Sequence, residues 1–112
     1  MEEVLYDTSI VVRIIAKNRQ RIQGYVSILT IIEYPPTLNY ASKILYPEKK
    51  DYHLAIKWQT LLRKKGNPIP AIDLVIAAQA YNRGLTLVTC DEHFRILKRE
   101  VAPDLKLILE AE

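Results

Sequence analysis

An α/β domain with a mostly parallel sheet, covered by helices on both faces, is the fold class this sequence predicts. Two observations carry that expectation. Short runs rich in β-branched, aliphatic and aromatic residues alternate with helix-patterned segments along the chain, and Gly or Pro punctuates most of the junctions. A third observation concerns chemistry: Asp7, Glu33, Asp73 and Asp91 each sit where an apolar segment begins or ends.

Taken in order, Glu3 to Tyr6 reads as a short buried strand. Thr8 or Ser9 is a candidate N-cap for the next segment, in which Val11, Val12, Ile14 and Ile15 form an apolar stripe while Arg13, Lys17 and Arg19 face outward. Gly24 interrupts the pattern, and Tyr25 to Leu29 has the β-branched and aromatic content of a second strand. Thr30 to Tyr34 reads as helix, stopped by Pro35-Pro36. Asn39 to Leu45 reads as another short helix, ended before Pro47. The longest helical stretch is Asp51 to Lys65, where Leu54, Trp58, Leu61 and Leu62 recur at helical spacing and Gly66 supplies the C-terminal cap.

The run Asn67-Pro68-Ile69-Pro70 is a rigid extended connector. Asp73 then stands as N-cap of a helix reaching Arg83, with Gly84 as its stop. Leu85 to Thr89 reads as a strand, Asp91 to Arg99 as a short helix, and Leu105 to Leu109 as a last strand after Pro103. Ala77, Ala78 and Ala80 give the penultimate helix a small-residue face that lets it approach the sheet closely.

The chain has 112 residues, 49% apolar and 26% charged, which fits one domain with a single core and excludes wholesale disorder. A net charge of +3 leans basic, compatible with a nucleic-acid partner but not diagnostic of one. The single cysteine, Cys90, excludes an internal disulfide and a cysteine-built zinc site, and fits a reducing cytoplasm. No apolar stretch approaches the roughly 20 residues a membrane span requires. The acidic Glu2-Glu3 start is unlike the basic head of a secretion signal.

In a parallel sheet the loops at the carboxyl ends of the strands form the ligand crevice. Asp7 ends one strand and Asp91 follows another. Asp73 opens the helix feeding the Leu85 strand, and Glu33 follows the Tyr25 strand, so topology draws all four to that edge. Two carboxylates about 5 Å apart repel by roughly 3 kcal/mol at an effective dielectric of about 20. Such a cluster calls for raised pKa values or for a cation. Oxygen ligands favour hard ions such as Mg²⁺ or Mn²⁺, which accept phosphate oxygens in open positions.

Each acid also has a plainer reading. Asp73 and Asp91 could cap helices, and Asp7 could be a turn residue. Glu33 sits among Ile31, Ile32 and Tyr34, where an unpartnered inward carboxylate is costly. His53 and His93 read as surface or packing residues, and Cys90 as a small, partly buried one. Arg13, Lys17, Arg19 and Arg21 form one basic region, with Arg63-Lys64-Lys65 and Arg95, Lys98 and Arg99 forming others. Singly these are solvated helix faces. Arg13, Lys17 and Arg95 are the candidates to hold a phosphate backbone beside the acids.

At these residues the chain resembles the PIN-domain ribonucleases, and most closely the small toxins of the VapC type. The resemblance rests on Leu5-Tyr6-Asp7-Thr8-Ser9, on Ser27 to Tyr34 with Glu33, on Asp73 to Ala80 followed by Gly84 to Thr89, and on Thr89-Cys90-Asp91-Glu92-His93-Phe94. It departs in a shorter stretch between Glu33 and Asp73, and in Cys90, which stands where a basic residue is common. The resemblance implies one PIN-like domain over residues 1–112, with a five-stranded parallel sheet. It implies metal-dependent endonucleolytic cleavage of RNA with Mg²⁺ or Mn²⁺. It assigns Asp7, Glu33, Asp73 and Asp91 to the acidic cluster, with Thr8 and Thr89 as supporting hydroxyls. Homodimers and inhibition by a cognate antitoxin are further implications. Two rival readings are a module of the same fold that binds RNA or protein without cutting, and a phosphoryl-transfer receiver domain. The second lacks a neighbouring acid at Asp7-Thr8-Ser9 and a lysine after the late strand.

Overall fold

The structure, a computed structural model, describes residues 3–18 and 20–111; Met1, Glu2 and the Arg19 of the first basic region lie outside the described residues. Five strands form one parallel sheet: β1 (Val4–Tyr6), β2 (Ile22–Ser27), β3 (Ala41–Leu45), β4 (Thr86–Thr89) and β5 (Leu107–Leu109), in the order β3-β2-β1-β4-β5. Five α-helices connect and cover them: α1 (Thr8–Asn18), α2 (Ile28–Glu33), α3 (Lys49–Lys64), α4 (Ala71–Arg83) and α5 (His93–Glu100). The chain builds outward from β1 to β3, crosses back through α3 and α4, and builds outward again from β4 to β5. The order therefore reverses between β1 and β4, which is the switch point where parallel sheets open a crevice.

Side chains alternate between two cores, as the two-residue period of a strand requires. Leu5, Tyr25, Leu45 and Leu87 join the larger core, which α3, α4 and α5 cover with Trp58, Leu62, Leu74, Ile76, Phe94 and Leu97. Tyr6, Val26 and Ile44 join the smaller one, with Val11 and Ile15 of α1 and Ile31 of α2. Helices on both faces explain why a strand as short as β4 is buried at every position.

Several sequence expectations are corrected. Ala41–Leu45 is a strand, not a helix, and it pairs with β2; a 3₁₀ turn over Pro35–Asn39 precedes it. Seven residues are too few for periodicity to separate the two states. Ile44 and Leu45 pack into opposite cores, the mark of an extended chain. Gly24 does not interrupt the second strand but lies inside it, and the strand ends at Ser27, whose hydroxyl caps α2 by accepting from the Leu29 N–H at 3.1 Å. A Cβ on Gly24 would lie 2.7 Å from Val4 Cγ2 and 3.0 Å from the Val4 carbonyl oxygen, so the glycine permits close strand approach where the β2–β3 register shifts. In α1, Val12 is exposed and Ile10 takes its place in the core.

The crossover is fixed by polar groups. Gln59 of α3 grips Ile69 at both ends, donating to its carbonyl at 2.6 Å and accepting from its N–H at 3.2 Å. That contact holds the extended connector and starts α4 at Ala71, so Asp73 falls inside the first turn rather than on the cap. At the other end Gly84 adopts the left-handed conformation (φ +66°) that stops α4.

Asp51, fully buried, anchors α3 to α4. It accepts from Arg83 Nη1 and Nη2 at 3.1 Å each, from Asn82 at 2.8 Å and from the Glu48 N–H at 2.7 Å. Burial pushes its carboxyl up, but Arg83, the Glu48 N–H and Asn82 more than offset this and hold it below the ordinary value. A depressed pKa contributes stability that is present above the unfolded value of 3.8 and is lost as pH falls through the lower folded value. We expect Asp51→Asn to lose about 2–3 kcal/mol of unfolding free energy at neutral pH, because Arg83 loses its buried partner and keeps only the exposed Glu48 carboxylate at 2.9 Å. Denaturant titrations should show the deficit shrinking as pH falls below 3.8.

Candidate active site

The carboxyl ends of β1 and β4 open into a cleft of about 520 Å³ lined by Asp7, Thr8, Ser9, Glu33, Pro70, Ala71, Ile72, Asp73, Asp91 and His93. All four acids singled out in the sequence reach it. Asp7 directly follows β1, and its N–H still bonds to the Val88 carbonyl of β4 at 3.1 Å. Its side chain caps α1, accepting from the Ile10 N–H at 3.3 Å, so Asp7 takes the role expected of Thr8 or Ser9. Ser9 Oγ donates to Asp7 Oδ1 at 2.6 Å and Thr89 Oγ1 donates to Oδ2 at 2.8 Å. Three hydrogen bonds thus fix a nearly enclosed carboxylate, which has capacity for about four. Burial raises its pKa and the Asp91 charge adds to that, while the bonds from Ser9, Thr89 and Ile10 oppose it.

Glu33, the last residue of α2, accepts from Thr8 Oγ1 at 2.7 Å. The Thr8 hydroxyl also lies 3.1 Å from that of buried Thr30. Glu33 is therefore tethered to the start of α1 rather than buried without a partner. Asp91 lies in the turn between β4 and α5. It does serve as a local cap, accepting from the His93 N–H at 2.9 Å, and its own N–H bonds to Thr89 Oγ1 at 2.9 Å. The capping and clustering readings of Asp91 are both satisfied, through one side chain.

Asp73 projects from the first turn of α4. Burial is the largest influence on its carboxyl, Asp91 and Asp7 add like-charge repulsion, and His93 partly counters them; the pKa rises to about 6. This is the signature expected of crowded acids.

Asp73, Asp91 and His93 each offer one ligand atom within 4.8 Å of the other two. His93 Nδ1 lies 3.3 Å from Asp91 Oδ1 and 3.5 Å from Asp73 Oδ2, without the geometry of a hydrogen bond to either. Neighbouring ligands of a six-coordinate ion held at about 2.1 Å sit about 3 Å apart, so these spacings need little adjustment to accept one. Repelling carboxylates and a covered nitrogen facing them without a well-formed hydrogen bond fit a divalent cation. His93 is thus a site residue that sequence reasoning set aside as packing; its position two residues after Asp91, at a helix start, was the available signal. Ser9 was likewise read only as a cap.

The basic candidates lie elsewhere. Arg13 faces Glu110 at 3.6 Å, and Arg95 pairs with Glu92 at 3.2 Å on the exposed side of α5. Arg95 borders a neighbouring groove with Cys90 and Glu110, and no Lys or Arg is among the described residues lining the acidic cleft.

Among curated proteins, none matches the chain in sequence. Solved structures share its fold. One chain of the DNA-bound VapBC structure from Salmonella typhimurium aligns with a TM-score of 0.73 at 18% identity, covering 96% of this chain and 98% of that one. A chain of VapBC-1 from nontypeable Haemophilus influenzae gives 0.71 at 22% identity, covering 95% and 96%. A chain of VapBC-5 from Mycobacterium tuberculosis, a member of a toxin–antitoxin family, gives 0.70 at 18% identity over 100% of both. The family model for the PIN domain matches residues 37–100, from the 3₁₀ turn before β3 to the end of α5, and so spans Asp73 and Asp91. The chain belongs to the PIN domain family.

Proposed function

We propose that this protein is a Mg²⁺- or Mn²⁺-dependent endoribonuclease and the toxin of a VapBC-type toxin–antitoxin pair, working in the cytoplasm. The observation that carries the reading is the meeting of Asp7, Glu33, Asp73 and Asp91 in one open cleft at the switch point of a PIN-family sheet. The VapBC neighbours support the toxin role. The apolar side chains of Ile32, Leu38, Tyr46 and Ile56 lie exposed, surface that an antitoxin or a second copy of the chain would cover.

In this reading Asp7, Glu33, Asp73 and Asp91 hold the ion. A bound divalent ion lowers the pKa of water and offsets charge on a phosphodiester during in-line attack. The chain supplies the rest. Ser9, Thr89 and the Ile10 N–H keep the Asp7 carboxylate aimed, and Thr8 does the same for Glu33. Asp73, whose carboxyl sits near 6 in the metal-free site, must give up its proton to hold the ion. The acids repel the RNA backbone, so cations must hold it from outside the cleft. Arg13, Lys17 and Arg95 are our candidates, with Arg95 about one helical turn from the site. Single-stranded or looped RNA suits an open cleft, because its backbone can bend toward the acids.

The direct test is cleavage of a single-stranded RNA with Mg²⁺ or Mn²⁺. Asp7→Asn and Asp91→Asn should each slow cleavage by roughly 100-fold or more, and a chelator should abolish it in the wild type. Variants that cut as fast as wild type would sink the assignment.

A pH series tests the electrostatics. Because the proton on Asp73 competes with the ion, divalent-ion affinity should rise as pH climbs through about 6, measured by calorimetry. A raised pKa also means that Asp73 favours the fold at low pH and that this contribution is lost as pH rises from 3.8 to about 6. Without metal, Asp73→Asn should therefore gain stability relative to wild type across that window, followed by thermal melting.

A further inference from the structure

We infer that His93 supplies a nitrogen ligand at this site and thereby tilts its metal preference from Mg²⁺ toward Mn²⁺; the inference rests on the metal-dependent reading above. Nδ1 of His93 is buried and has no hydrogen-bond partner among the described residues, although it lies 3.3 Å and 3.5 Å from oxygens of Asp91 and Asp73. A covered ring nitrogen that faces two carboxylates without a well-formed hydrogen bond to either calls for an explanation, and an ion shared with them provides one.

Local geometry brings the ring to the acids. His93 opens α5, and its backbone N–H bonds to Asp91 Oδ1, so the start of the helix and the Asp91 carboxylate are held together and the ring is carried beside the acids. The side chain is 44% exposed while Nδ1 is covered. The far edge of the ring can therefore keep its proton in water while the Nδ1 lone pair faces the acids.

Ligand chemistry supplies the consequence. Mg²⁺ is hard, favours oxygen and retains its waters, whereas imidazole suits transition ions. Replacing one oxygen ligand by imidazole costs Mg²⁺ more than Mn²⁺. Partners one shell beyond a metal are worth roughly 10–100-fold in affinity, so a direct ligand should matter at least as much.

The experiment titrates the full-length, metal-free protein with Mn²⁺ and with Mg²⁺ by calorimetry, for wild type, His93→Ala, His93→Gln and Asp91→Asn. Pulsed EPR of the Mn²⁺-loaded wild type reads nitrogen coupling directly and needs no variant to fold. We expect a nitrogen coupling that His93→Ala abolishes, and a fall of about tenfold in the Mn²⁺-to-Mg²⁺ affinity ratio in both His93 variants. Mn²⁺ binding that Asp91→Asn weakens, with no nitrogen coupling and an unchanged ratio in the His93 variants, would overturn the inference and leave the metal site standing. Absence of saturable binding of either ion to wild type would overturn both.

Discussion

The hydrogen bond from Thr89 to Asp7, across 82 residues of sequence, is the contact around which the cleft is organised. It ties the carboxyl ends of β1 and β4 at the one place where strand order reverses. Ser9 and the Ile10 N–H complete the grip from the opposite side, so that a buried carboxylate begins α1 instead of merely ending β1. Thr89 also accepts from the Asp91 N–H, so a single hydroxyl sets the positions of two acids. Cys90, between them, donates its N–H to Ser9 Oγ at 3.2 Å and closes the loop of contacts. Electrostatic preorganisation of this kind requires the charged groups to be held before any ligand arrives.

Holding those charges together works against folding. The elevated pKa values of Asp7 and Asp73 express that opposition, which burial and mutual repulsion create. The opposing stabilisation lies away from the cleft. The apolar core beneath α3, α4 and α5 has Leu62, Ile76, Leu87, Phe94 and Leu97 wholly enclosed. The Asp51–Arg83–Asn82 network clamps α3 to α4, and Gln59 fastens the connector that brings Asp73 into place. Asp51, wholly buried, and Asp73, partly buried, shift in opposite directions: Asp51 meets a guanidinium and is stabilised as an anion, while Asp73 meets other carboxylates and is not. That contrast separates a structural carboxylate from a site carboxylate on physical grounds.

The errors of the sequence reading share a cause. Asn39 to Leu45 and the segment around Gly24 are not legible locally, because their states are settled by pairing with a neighbouring strand, which no local window contains. Asp73 reads as a cap as well as a site acid because an acid before an apolar helical run has that local meaning. The helix starts earlier because Gln59 holds Ile69, a contact between residues 10 apart. His93, two residues after Asp91 at a helix start, gains its meaning only when Asp73, from another helix, is set beside it.

By itself, the sequence determined the alternation of strand and helix, the helix stops at Gly66 and Gly84, and the four acids at segment edges. Those are properties of local pattern and residue chemistry, and they survive any rearrangement of the neighbours. The tertiary structure alone decided that β3 is a strand, that α4 begins ahead of Asp73, and that His93 joins the acids. Each of these depends on which groups lie within a few ångströms across the fold. Hydrogen bonds and Coulomb forces at such short range act through space rather than along the chain.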